Sequence, residues 1–255
     1  MSFLASIIAF ALCAFVYVRM IRREVPDRIG KAQAWVPVAV GIAAPIFSSA
    51  IALLTGFLII KLRGGDITGM NVTAPERAEM NPLFSSLRAS FLSAGFPEEL
   101  VKLLLALLLV KIFKPKNVYE YALIFTAVGA GFTVLEEALY GGGGFISVGR
   151  MVTFAMHMVL GLVMGVALGH ARYARQNGGS AGKYILLGLL LPVLWHTVYD
   201  AGTVNNAAFN TEDQNIQGTA VVAGAVILIA SVVLQIVLLI RFKKKAAAYC
   251  CMELK

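Results

Sequence analysis

Charge is scarce in this chain. Asp, Glu, Lys and Arg make up 14% of its 255 residues, against about 25% in an ordinary soluble domain. Hydrophobic residues make up 59%, and the two figures together exclude a soluble globular fold. Cysteine is also sparse. Cys13, Cys250 and Cys251 show neither disulfide nor metal-ligand spacing, which argues against a disulfide framework or a thiolate metal centre. No internal repeat and no long low-complexity linker is visible. The first apolar run has no basic stretch before it and no evident small-residue cleavage site, so it reads as a retained helix rather than a signal peptide. The net charge of +8 raises nucleic acid as a partner, but the basic residues sit in short loops between apolar runs. There they act as topology signals beside a lipid bilayer, and no nucleic-acid partner is expected.

What the chain has in abundance is long apolar runs. They fall at about residues 2–20, 35–60, 91–113, 118–140, 150–170, 184–202 and 218–240. Runs of about 20 apolar residues are the length of a membrane-spanning helix. The expected fold is all-α: a polytopic transmembrane bundle of about seven helices, forming one integral membrane domain over residues 1–255. One set of alternate loops holds Arg19, Arg22, Arg23, Arg28 and Lys31, then Lys111, Lys114 and Lys116, then Arg172, Arg175 and Lys183, and finally Arg241, Lys243, Lys244, Lys245 and Lys255. The other set holds only Lys61, Arg63, Arg77, Arg88 and Arg150. That bias predicts an extracytoplasmic N-terminus and a cytoplasmic C-terminus, the opposite-sided arrangement that an odd helix count requires. Cys250 and Cys251, next to the basic tail, are candidates for acylation. Asn71-Val72-Thr73 is a formal glycosylation sequon, without any sign of a eukaryotic secretory context. Leu83 to Phe91 reads as an amphipathic surface helix leading into the third segment.

Eight ionisable side chains lie inside these apolar runs: Glu98, Glu99, Lys102, Glu136, Glu137, His157, His196 and Asp200. A charged side chain at the centre of a membrane helix costs about 2.5–3.5 kcal/mol on insertion scales. Such residues need partners, water or a chemical task. The alternating topology brings them all to one depth, in the outer part of the bilayer. Pro97 suits a first helical turn, so the third helix is expected to start or kink there. From Pro97 to Phe113 it covers about 25 Å at 1.5 Å per residue, barely a span, which leaves Glu98 and Glu99 where water can enter. Glu98 and Lys102 share a face at i, i+4 and are expected to pair, leaving Glu99 about 100° round the helix. His157 begins a face continued by Gly161, Gly165 and Gly169, suited to close packing on another helix. His196 and Asp200, also four apart, suit two metal ligands or a ligand and the group that orients it. His170, at the opposite end, reads as interfacial and lies outside the expected site.

Two histidines and several carboxylates at one depth could hold zinc with a position left for water, and a further carboxylate could act as general base. A glutamate could instead activate water directly, with Lys102 or a histidine stabilising the oxyanion. If Glu98 and Glu99 were both to stay charged, the pKa of one would rise, as suits a general base. A proton- or cation-coupled transporter or channel would use the same cluster as an ion site, but it needs polar residues along a whole pathway. The halves of the motif helices away from the cluster, Leu103–Val110 and Ile185–Leu191, are apolar. A non-catalytic scaffold or immunity protein is the third reading.

The pattern EExxK at Glu98–Lys102, FxxxE at Phe132–Glu136 inside GFxxLE, a histidine on the next helix and HxxxD at His196–Asp200 resembles the PrsW family. The resemblance covers a motif-bearing core of about residues 91–202. Those proteins are bacterial intramembrane proteases that begin the degradation of membrane-bound anti-sigma factors, and they are grouped with CAAX-processing and bacteriocin-immunity membrane proteases. YhfC-like membrane peptidases share the layout. The resemblance implies a multi-pass protein of a bacterial or archaeal cell membrane that takes a membrane-protein substrate with a transmembrane helix. It implies Glu98, Glu99, Lys102 and Glu136 as catalytic residues, and His157, His196, Asp200 and Glu136 as ligands of zinc. Glu137 stands where many relatives carry Asn, which leaves open which acid of that pair faces the site. The Gly141–Gly144 loop has the backbone freedom of a gate.

Overall fold

A computed structural model describes residues 2–23, 29–62, 81–140, 153–204 and 213–255. The sequon at Asn71 and the Gly141–Gly144 loop lie outside the described residues. Within them the chain is helical: α1 (Ser2–Ile21), α2 (Lys31–Leu62), α3 (Pro82–Ser90), α4 (Phe96–Phe113), α5 (Val118–Tyr140), α6 (Met156–Gln176), α7 (Gly182–Thr203) and α8 (Gln214–Cys250). The one β-type pairing among them is an isolated bridge between Asn117 and Glu253. Among the described residues four helices are long and apolar enough to cross a membrane: α2, α5 over Val118–Ala138, α7 and α8. Residues Ile7–Ile21 of α1 form a shorter apolar helix. In α4, four charged residues interrupt the apolar run. The chain is therefore an all-helical, multi-pass membrane protein.

The seven long helices run alternately up and down. Tyr17 donates to the Ala34 carbonyl and Tyr119 to the Met20 carbonyl, each at 2.7 Å, so the end of α1 meets the starts of α2 and α5. The C-terminal residues return to this same end, where the Leu254 and Val118 amides donate to the Lys116 and Met252 carbonyls. α5 is the central helix, buried almost throughout. Small residues set its distance from its neighbours. A side chain at Gly131 would strike the Val38 carbonyl of α2, and one at Gly41 would strike the Val128 carbonyl of α5. On the other flank, Gly129 meets the His157 backbone and Gly161 meets Phe125. The small-residue face of α6 therefore packs on α5, as its spacing predicts.

Three local features add to the sequence reading. The α-helix of the third segment starts at Phe96 with Pro97 in its first turn, and the chain enters it through a π-helical turn at Phe91–Gly95 that runs straight into α4. Such turns recur at functional sites. α3 is capped by the Asn81 side chain, but its buried residues are Ser86 and Ser90 while Leu83 and Phe84 are exposed. Its polar face packs on the bundle and its apolar face points out, as suits a helix lying in lipid. The basic tail continues α8 as helix to Cys250, about 55 Å at 1.5 Å per residue. Cys250 is buried there and Cys251 is exposed, so burial shields Cys250 from acylation.

Candidate active site

The N-terminal ends of α4 and α6 and the C-terminal ends of α5 and α7 meet at the end of the bundle away from the C-terminus. Close backbone contacts create the meeting point. A side chain at Gly95 would strike Thr197, so the entry to α4 lies directly on α7. On α5, one helical turn carries the chain from the Gly129 contact with His157 to Thr133, and Glu136 follows one turn later on the same side.

Lys102 is the hub and is 2% exposed. Its Nζ donates to Glu99 Oε1 at 2.6 Å and to His157 Nδ1 at 2.9 Å. It lies 3.9 Å from Glu98 Oε2 and 4.2 Å from the centre of the Phe132 ring. The expected Glu98–Lys102 pairing is thus the longer of its two ion pairs; Glu99, at i, i+3, is the close partner. His157, accepting from Lys102 at Nδ1, carries its proton on Nε2 and gives it to Glu136 Oε2. Lys102, His157 and Glu136 form one hydrogen-bonded chain across three helices. Glu137 lies instead within electrostatic reach of Cys13 on α1, so Glu136 is the acid that faces the cluster.

His196 is 1% exposed. Its Nδ1 lies 2.8 Å from Glu99 Oε1. Because that oxygen only accepts, the network assigns the proton to Nδ1. Nε2 faces Glu98 Oε2 at 3.7 Å and Asp200 Oδ2 at 3.6 Å. These separations are too long for hydrogen bonds. They lie close to the edge of a tetrahedral zinc site, about 3.4 Å for ligands about 2.1 Å from the metal. Among the described residues Glu98 Oε2 and Glu99 Oε2 are buried without a hydrogen-bond partner. Glu98, His157 and His196 also offer ligand atoms that all lie within 4.8 Å of one another. An imidazole nitrogen facing two carboxylates, with a second histidine close by, is a donor set that fits a metal. His157 fits less freely, because both its ring nitrogens are engaged, and it would have to exchange one contact to ligate.

All eight residues singled out in the sequence are accounted for: seven converge and Glu137 turns away. Sequence reasoning missed the supporting residues. Gln235 of α8 accepts the Ala155 amide proton at 3.1 Å, satisfying the start of α6 two residues before His157. Tyr199 and Thr153 share a 2.7 Å hydrogen bond that ties the end of α7 to the same approach. A lone glutamine within an apolar run was the available signal for the first. Nothing in the sequence flagged the second.

A multi-pass helical membrane protein with acids, two histidines and a lysine buried together at one end of its bundle has the groups for metal or proton chemistry within the membrane. A model of the PrsW family intramembrane metalloproteases matches residues 31–241, and the chain belongs to that family. The match extends well beyond the motif-bearing core. Over 121 residues the chain is 31% identical to Protease PrsW of Bacillus subtilis, covering 45% of this chain and 54% of that protein. Over 125 residues it is 30% identical to Protease PrsW of Halalkalibacterium halodurans, covering 48% and 55%. The chain thus spans about half the length of the curated relatives it matches. No solved structure matches it.

Proposed function

We propose that this chain is an intramembrane endopeptidase of a bacterial cell membrane. It hydrolyses a peptide bond of a membrane-protein substrate, of the anti-sigma-factor type, near the extracytoplasmic boundary. The observation that carries the reading is the convergence of His196 Nε2, Glu98 Oε2 and Asp200 Oδ2, beside the buried Glu99–Lys102 pair. Membership of a metalloprotease family supports it. The positive-charge bias of the loops supports an extracytoplasmic N-terminus and a cytoplasmic C-terminus, which puts the site at the outer boundary.

Glu98, His157 and His196 would hold the metal, with Asp200 at its edge. A bound zinc supplies Lewis acidity and lowers the pKa of a coordinated water toward neutrality. The chain's own residues do the rest. Glu136 orients His157, and Glu99 orients His196 through the Nδ1 hydrogen bond, roles that set ring position and basicity. Lys102 neutralises Glu99 and holds it by one oxygen, leaving Oε2 to accept the proton of the attacking water. Helical peptide bonds are shielded by their own hydrogen bonds, so the substrate must unwind locally to reach this cluster. Apolar packing of Ala106, Leu109, Val110, Ile124, Phe125, Val128 and Met164 lies on the far side of the site, which favours a one-sided reaction centre over an ion pathway.

The test is cleavage of membrane-protein substrates with extracytoplasmic segments by purified, reconstituted protein, together with zinc content by elemental analysis. Glu98→Gln and His196→Ala are expected to lose both zinc and cleavage, and a chelator is expected to abolish cleavage until zinc is restored. Cleavage lost without any change in metal content would reject the metal and leave a glutamate-based hydrolysis. Full cleavage by both variants would reject the site.

A further inference from the structure

The end of the bundle opposite the candidate active site carries a second feature. Between α6, α7 and α8 lies a groove of about 320 Å³. Its mouth is formed by Arg241 and Lys245 of α8, four residues apart and on one face, with His170 of α6, Tyr184 of α7 and Tyr249 of α8. His170 donates from Nδ1 to the Val166 carbonyl at 2.7 Å, and its ring packs between Tyr184 and Tyr249, with centroids at 5.5 and 5.3 Å. Lys183 adds a cation 4.8 Å from the centre of the Tyr184 ring. Among the described residues no acidic side chain lines the groove. Among the described residues neither Arg241 nor Lys245 forms an ion pair.

Behind this basic mouth the walls are aliphatic. Val163, Leu191 and Leu238 also line a second apolar groove of about 370 Å³, so the two adjoin. Together they run along α8 from Lys245 to Leu234, about 16 Å at 1.5 Å per residue. The shape limits the occupant. A soluble anion would leave the apolar walls unused. One extended hydrocarbon chain bearing an anionic head satisfies both halves, and basic pockets between membrane helices are suited to such heads.

We infer that this groove binds an anionic phospholipid, its phosphate between Arg241 and Lys245 and one acyl chain along Val163, Leu191 and Leu238. The inference is independent of the hydrolytic reading. The test is native mass spectrometry of the intact protein in detergent, titrated with phosphatidylglycerol against phosphatidylcholine and against soluble glycerol phosphate. The intact chain is expected to retain phosphatidylglycerol selectively and to ignore glycerol phosphate. Arg241→Gln with Lys245→Gln should weaken retention about thirtyfold, from about 1 kcal/mol per basic side chain. Lys111→Gln with Lys244→Gln removes the same charge from exposed positions outside the groove and should leave retention within about twofold, since only groove cations are lost in the first variant. Leu238→Trp, which fills the groove and keeps both cations, should also release the lipid. Equal loss in the two double variants would mean a diffuse basic surface and overturn the inference. So would binding of glycerol phosphate as strong as that of the lipid, or no preference over phosphatidylcholine.

Discussion

Lys102→Met offers the sharpest probe of how this site is held together. Lys102 is 2% exposed and contacts Glu99 at 2.6 Å, where Glu99 itself is 1% exposed. Removing one partner of a buried ion pair strands the other charge, at a cost of about 3–5 kcal/mol. For a chain of about this length each kcal/mol moves the midpoint by about 2–4 °C, so Lys102→Met should melt about 6–20 °C lower. The loss is mainly the stranded Glu99 carboxylate, so Glu99→Gln in the same chain should restore part of it. Departure from additivity should reach about 2 kcal/mol, within the range for residues in one network. Methionine keeps the apolar contact with the Phe132 ring, which isolates the charge. Thermal unfolding of the three variants and the unaltered protein, in one detergent and followed by intrinsic fluorescence, measures this. A single variant that melts within about 2 °C of the unaltered chain, or strictly additive losses, would refute the description of Lys102 as the charge that permits Glu99 to be buried.

The two adjacent acids of α5 should behave differently. Glu136→Gln weakens the hold on His157 and should lower zinc affinity about 10- to 100-fold, whereas Glu137→Gln should leave zinc affinity unchanged; equal effects would contradict the assignment of Glu136 to the site. Gly131→Ala forces a methyl group into the Val38 carbonyl and should cost about 1–3 kcal/mol. Gly56→Ala meets nothing within 4 Å and should be neutral or slightly stabilising, a contrast readable in the same thermal assay. Cys251 is the exposed thiol, with Cys13 and Cys250 buried. A membrane-impermeant maleimide should label the chain only after cells are opened, and labelling of intact cells would invert the proposed orientation.

Much of the fold was legible because a bilayer leaves few choices: backbone groups without water must be satisfied within a helix. Apolar length alone therefore located the seven long helices. The ends were less legible. α8 runs on through Lys243–Cys250 because its far side finds Tyr119 to pack against Phe242, with ring centroids 4.9 Å apart, a contact no local pattern announces. The π-turn at Phe91–Gly95 was invisible for a similar reason, since its register answers to the contact of Gly95 with Thr197.

The sequence by itself determined that the chain is a helical membrane protein and that acids, histidines and a lysine sit near the same ends of their helices. Composition, run length and the spacing of EExxK, FxxxE and HxxxD are one-dimensional quantities, and they survive without coordinates. Only the tertiary structure decided which atoms meet. It paired Lys102 with Glu99 more closely than with Glu98, and it turned Glu136 toward His157 while Glu137 faced α1. It also set His196 Nε2 between Glu98 and Asp200. Those outcomes depend on the rotation of each helix about its own axis, and glycine contacts between α2, α5, α6 and α7 set that rotation.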